Sequence, residues 1–253
     1  MKKHHYHDSL GDHNSVLTPE EVRENVNISE DDDRIFMARV YNWMAGGLAI
    51  SGLTAWKISS MMVDQTSFFY RSPGVFLILF LLEILLVGIL TLAIPKLSPL
   101  WAAVLFCLFA LLNGMTLAPL FTFYTSSSIF SAFFTSAGMF FVTSLFGYIT
   151  GMDLGRLGAF CIMGLFGLII ATVVNLFLNN SLMETILNYI GIVLFLGLTA
   201  WDTQRLRLLA KECIVNGYGE DVMKKYAVVG ALSLYLDFIN IFLFLLRLTG
   251  KRD

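Results

Sequence analysis

Residues 97–152 read LSPLWAAVLFCLFALLNGMTLAPLFTFYTSSSIFSAFFTSAGMFFVTSLFGYITGM, 56 consecutive positions without one charged side chain. Between Arg156 and Glu184 lie another 27. About 20 apolar residues cross the hydrocarbon of a bilayer as a helix. Only 14% of the 253 residues are charged and 57% are hydrophobic, whereas a soluble domain carries about 25% charged residues. The runs are continuous and do not alternate with period two, so they predict helices, not barrel strands. The sequence is that of an all-α, polytopic membrane protein in contact with the lipid bilayer.

Seven spans follow from the apolar runs: 35–58, 74–94, 99–123, 128–149, 156–178, 184–206 and 226–248. Turn chemistry separates them, as Arg71-Ser72-Pro73-Gly74, Pro95, Ser98-Pro99, Ser126-Ser127-Ser128, Gly151 to Gly155 and Asn179-Asn180. Gly46, Gly47, Gly164 and Gly167 offer close helix approach. Residues 1–34 form a polar, acidic tail, expected to be mobile and cytoplasmic, ahead of a transmembrane domain over 35–250. Thr18-Pro19-Glu20-Glu21 has the form of a helix start. The cluster His4-His5-Tyr6-His7 can scavenge a transition metal, but such a run at a terminus is ordinarily solvated and idle.

Lys and Arg set the expected orientation. With the N-terminus in the cytoplasm, the inside receives twelve: five in the tail region, then Lys96, Arg156, Arg205, Arg207, Lys211, Lys224 and Lys225. The outside receives two, Lys57 and Arg71. The positive-inside rule favours this arrangement. Arg247, Lys251 and Arg252 break it if the last span crosses fully, so the last segment is either re-entrant or overridden by the earlier bias.

Three carboxylates fall inside spans. Glu83 lies in FLLEILLVG, Asp202 in GLTAWDTQRLR, and Asp237 in LYLDFINIFLFLLR. An ionisable group at mid-bilayer costs at least ~2.5 kcal/mol, so each is expected to face the bundle interior with a partner or water. Ser233, Asp237 and Asn240 share one narrow polar stripe. Asp202 has a plainer option, snorkelling to the interface or pairing with Arg205 at i+3. Two carboxylates from consecutive spans, brought together in low dielectric, share a proton over part of the pH range. Such a pair suits a weak calcium site or a proton-controlled latch, since a calcium cage needs more oxygens. Asn113, Thr116 and Asn175 would add oxygens if they face the same cavity.

These residues resemble a known family. LTAWDTQRLR (198–207) is similar to the GLTAYDTQ signature of the Bax inhibitor-1 family, and GALSLYLDFINIFLFLLRLTG (230–250) to its second aspartate motif. VYNWMAGGLAISGLTAW (40–56) and NGMTLAPLF (113–121) resemble its first and third helices. The resemblance covers about residues 35–250 and looks closest to the bacterial members. It implies a seven-helix fold with the last helix central, and a pH-sensitive passive calcium leak gated by an aspartate pair, here Asp202 and Asp237. Calcium is then the transported ion, held weakly by that pair, with no cofactor. Glu83, Asn240, Asn113 and Asn175 are the candidate cation-pathway residues. Trp201 stands where the family usually has Tyr. The arginine with which some members lock the pair from helix two has no counterpart in 74–94.

Enzymatic readings are poorly served. Intramembrane aspartyl proteases carry GxGD, which is absent, and all four histidines lie at positions 4–13. No phosphate-binding loop is present, and a net charge of −2 argues against nucleic acid. The expectation is a non-enzyme of the bacterial inner membrane. Two alternatives remain. One is a proton-coupled exchanger that uses the same aspartates as carriers. The other is a non-transporting regulator that binds a membrane protease or other partner, with the acidic tail as a contact element.

Overall fold

Local chemistry sets each helix boundary. The computed structural model describes residues 19–62 and 74–251, with side chains from Asp33 onward. The histidine cluster and the 71–73 turn lie outside the described residues. α1 spans Pro19–Met62, starting at the proline expected to open a helix and running through the acidic segment into the first apolar span. α2 is Gly74–Leu92, followed by a 3-10 turn at Ile94–Lys96. α3, Pro99–Leu117, begins with Ser98 accepting from Trp101 N–H and a proline in the first turn, the two devices that best satisfy a helix start. The span expected over 99–123 stands as one candidate crossing, interrupted near its end at Ala118–Pro119. Pro119 has no N–H and its ring opposes helix continuation, so Leu120–Phe123 forms a separate short α4.

α5 covers Ser126–Ile149 and α6 Gly155–Leu178. Asn179 ends α6 with a left-handed φ of 48°, and Asn180 caps α7 by accepting from Met183 N–H. α7 then runs Ser181–Val215, well past its apolar core, and α8 covers Glu220–Thr249. Among the described residues, six helices are long and apolar enough to cross a membrane. α1 is the seventh long helix, with Asn42, Ser51 and Lys57 diluting its apolar stretch. The outward faces of α2 and α6 expose Leu77, Leu81, Phe166 and Phe177, which lipid tolerates and water does not.

α8 is the centre of the bundle. Of its most apolar window 67% is buried, against 44% at most for the other five spans. It is one uninterrupted helix of 30 residues, about 45 Å long at 1.5 Å per residue. Its far end is tied to the start of α5, where Thr125 N–H donates to the Lys251 carbonyl and Lys251 N–H to Ser128 Oγ. The last segment is thus one continuous helix, long and apolar enough for a full crossing, with no re-entrant turn along it. The protein is a multi-pass helical membrane protein.

Small residues set the spacing of α5, α6, α7 and α8. A Cβ at Gly147 would overlap the Ala200 carbonyl, and at Gly158 the Trp201 ring. Gly47 lies against Phe106 and Tyr235, and Gly164 against Leu194, whereas Gly46 and Gly167 face open space.

Candidate functional site

The DTQRLR segment of α7 sends each polar side chain to a different neighbour. Asp202, half-buried, faces a cavity of about 700 Å³ between α2, α7 and α8. Thr203 is fully buried, and its hydroxyl meets Ser144 on α5 at 2.9 Å. Gln204 fastens the α5–α6 loop by accepting from Leu154 N–H at 2.9 Å and donating to the Met152 carbonyl at 2.7 Å. Arg205 lies within electrostatic reach of Asp202 but forms no close ion pair with it. Among the described residues no ion pair reaches Asp202, and the guanidinium of Arg205 lies 5.4 Å from the Trp201 ring centre. The tryptophan at this position is thus occupied as a cation–π partner. Arg207 reaches across to Asp33 on α1.

The cavity is acidic. Asp153, Asp202 and Glu212 line it with one cation, Arg205. Low-dielectric walls carrying one sign of charge focus the field and concentrate counter-ions. Thr91 and Val87 form its α2 wall, Ser233 and Leu236 its α8 wall. Glu212 and Tyr226 line the part of it nearest the α7–α8 turn.

Asp237 sits deeper, at 5% exposure. It lies within electrostatic reach of Asp202, with fully buried Thr199 against its carboxyl. Its Oδ2 is buried and, among the described residues, has no hydrogen-bond partner. Buried polar atoms are nearly always satisfied, so an orphaned carboxylate oxygen calls for a proton, a water or an ion. The two aspartates of the sequence motifs are brought together, one facing the cavity and one buried outside its lining.

Glu83 belongs to a second network. It is 8% exposed, and accepts from Thr116 Oγ1 at 2.6 Å and Asn113 Nδ2 at 3.2 Å. Asn113 Oδ1 accepts from the Tyr235 hydroxyl at 2.8 Å, and that hydroxyl meets Ser51 Oγ at 2.6 Å. Glu83 is one turn along α2 from Val87, an α2 residue of the cavity wall. Asn240 is likewise one turn beyond Leu236 on α8, its amide donating to the Leu236 carbonyl at 2.8 Å. Asn175 is elsewhere. It accepts from Asn180 N–H at the α6–α7 turn, roughly 30 Å along α7 from Asp202 by helix rise.

The family model described as "Inhibitor of apoptosis-promoting Bax1" matches residues 33–253. The chain belongs to the Bax inhibitor-1 family. Relatives in bacteria agree in length and extent. The inner membrane protein YbhL of Escherichia coli K12 is 41% identical over 219 residues, covering 86% of this chain and 92% of its own. An uncharacterised protein of Deinococcus radiodurans is 38% identical over 223 residues, covering 88% and 93%. A Streptococcus pyogenes membrane protein is 31% identical over 226 residues, covering 86% and 93%. In this Bax inhibitor-1 family chain, Asp33 and Arg207 are the pair that sequence reasoning missed. The acidic run reads as a solvated tail, yet Asp33 within it is 1% exposed. The available signal was its spacing to Phe36, Met37 and Val40, all buried on the same face.

Proposed function

We propose that this protein is a passive, pH-sensitive calcium leak, with Asp202 and Asp237 sharing a proton as its gate. The observation that carries the reading is the pairing itself. A half-buried Asp202 faces an acid-lined cavity, and beside it a buried Asp237 carries an unpartnered oxygen. Two carboxylates in that setting titrate as a unit, and a change in their proton count shifts the balance between closed and open packings.

The donor set suits a passing cation. Among the described residues no group of three His, Cys, Asp or Glu side chains converges, whereas a calcium cage takes six to eight oxygens. Glu83, Asn113 and Asn240 then continue the route one turn beyond the cavity. Asn175, at the far end, would serve only as an outer contact. Chemistry on a bound substrate is no part of this reading.

The orientation that fits is N-terminus in the cytoplasm of a bacterial cell, in the inner membrane. Arg39, Lys96, Arg156, Arg207, Lys211 and Lys224 gather at the end of the bundle that holds the α7–α8 turn, and Lys57, Arg247 and Lys251 at the other. The inner-membrane naming of the Escherichia coli relative supports the location. A contact regulator of a membrane protease is the second reading. What favours it is that the acidic segment from Pro19 is helical and continuous with α1. Calcium flux in proteoliposomes separates the two, since a regulator needs no leak.

A further inference from the structure

α7 presents two opposite faces around Asp202. One carries Asp202, Leu209 and Glu212 to the cavity. The other carries Thr203 and Arg207, at i and i+4 and so stacked on one side of the helix. Thr203 joins Ser144, which in turn meets the Tyr41 hydroxyl at 2.6 Å. One turn further, Arg207 Nε donates to Asp33 Oδ2 at 3.2 Å and Nη1 to the Tyr148 carbonyl at 2.6 Å. The Tyr148 ring lies 4.6 Å under the guanidinium, and its hydroxyl donates to Asp33 Oδ1 at 3.4 Å. Both Asp33 oxygens are engaged, in a side chain only 2% exposed. The clamp ties α1, α5 and α7 together directly behind the acid that faces the cavity.

The geometry points to Asp33 and Arg207, with Tyr148, as positioning residues of the gate: they hold the rotation of α7 that sets Asp202 against Asp237. The inference rests on reading that pair as the gate. A guanidinium fork bound to a carboxylate and a carbonyl fixes direction as well as distance. A buried pair of this kind is strongly missed when one partner goes, because the other charge is left uncompensated. Losing it frees α7 on the side away from the cavity, and the space between α7, α8 and α2 widens.

Ser233 lines that space from α8 and reports on it. The protein carrying Ser233→Cys, in nanodiscs with both faces wet, is treated with a charged, water-soluble thiol reagent. Labelling is followed by mass spectrometry, after subtracting that of the parent's own Cys107, Cys161 and Cys213. Asp33→Asn and Arg207→Gln are each expected to raise the labelling rate of the introduced thiol at least about fivefold, as a population shift toward an open packing requires. Arg207→Lys, which keeps the charge but loses the fork, is expected to raise it about twofold. Should the charge-removing variants fail to fold, the lysine variant alone decides. A rate equal to that of the Ser233→Cys parent in the folded variants overturns the inference, whatever their melting temperature. The readout needs no ion flow. Faster labelling without a wild-type calcium leak would sink the leak and, with it, the gate, and leave only the clamp's hold on α7. A leak with unchanged labelling would do the reverse.

Discussion

Tyr235 and Asp237, two residues apart on α8, leave the central helix on different sides: the Tyr235 hydroxyl joins Ser51 and Asn113, while Asp237 faces Thr199 and Asp202. These two buried polar systems are therefore physically separable. Tyr235→Phe keeps the ring against Phe106 and Phe109 but leaves Asn113 Oδ1 without its donor. It is expected to destabilise the fold by about 1–3 kcal/mol, the cost of a buried unsatisfied acceptor. Thermal unfolding in detergent would show the loss, and the pH response of calcium flux would stay as in wild type.

Helix spacing gives a second prediction. A side chain at Gly147 meets the Ala200 carbonyl, backbone that has no rotamer to escape into. Gly147→Ala is expected to cost about 1–3 kcal/mol through overpacking, and Gly147→Val to abolish the monodisperse protein. Gly138, on the same helix, has open space around it. There the alanine variant should be neutral, or more stable by up to about 1 kcal/mol, since alanine is the better helix former. Parallel melts of the two alanine variants compare the sites, and equal stability would contradict the packing described.

Much of this was legible from composition, and the misses have physical causes. Uncharged runs locate the apolar cores of the spans because burial in lipid demands them. They do not show where a helix continues into water, so α7 extends to Val215 through Arg207, Lys211 and Glu212, and α1 begins at Pro19. Pro119 divides a span that hydropathy alone reads as continuous. The two aspartates stood out because a charge in hydrocarbon needs a reason. Asp33 did not, because in an acidic run one buried carboxylate looks like its solvated neighbours. Its spacing to Phe36, Met37 and Val40 was the one local signal, and its partner lies 174 residues away.

Glu83 gives a third prediction, on rate. Glu83→Gln keeps an acceptor for Thr116 and a side chain of the same shape, but removes an acidic group one turn beyond the cavity wall. The calcium leak is expected to fall several-fold while its pH response persists. An unchanged rate would take Glu83 off the route and leave it as the anchor of the Asn113–Tyr235 network.

Ion pairs at the surface supply a contrast. Arg39 and Glu220 meet at 3.2 Å with side chains 37% and 63% exposed. Exposed pairs contribute little because water screens them. Glu220→Ala should leave the melting temperature unchanged, whereas Asp33→Asn should lower it clearly. Similar effects from both would argue that Asp33 is not held in the buried clamp.

The central claim is met most directly by calcium flux into proteoliposomes from pH 5 to pH 8, for wild type, Asp202→Asn and Asp237→Asn. The account predicts a passive leak whose rate changes with pH in wild type and loses that dependence in both variants. Wild-type flux equal to that of empty liposomes, or a pH response that survives in either variant, would contradict it.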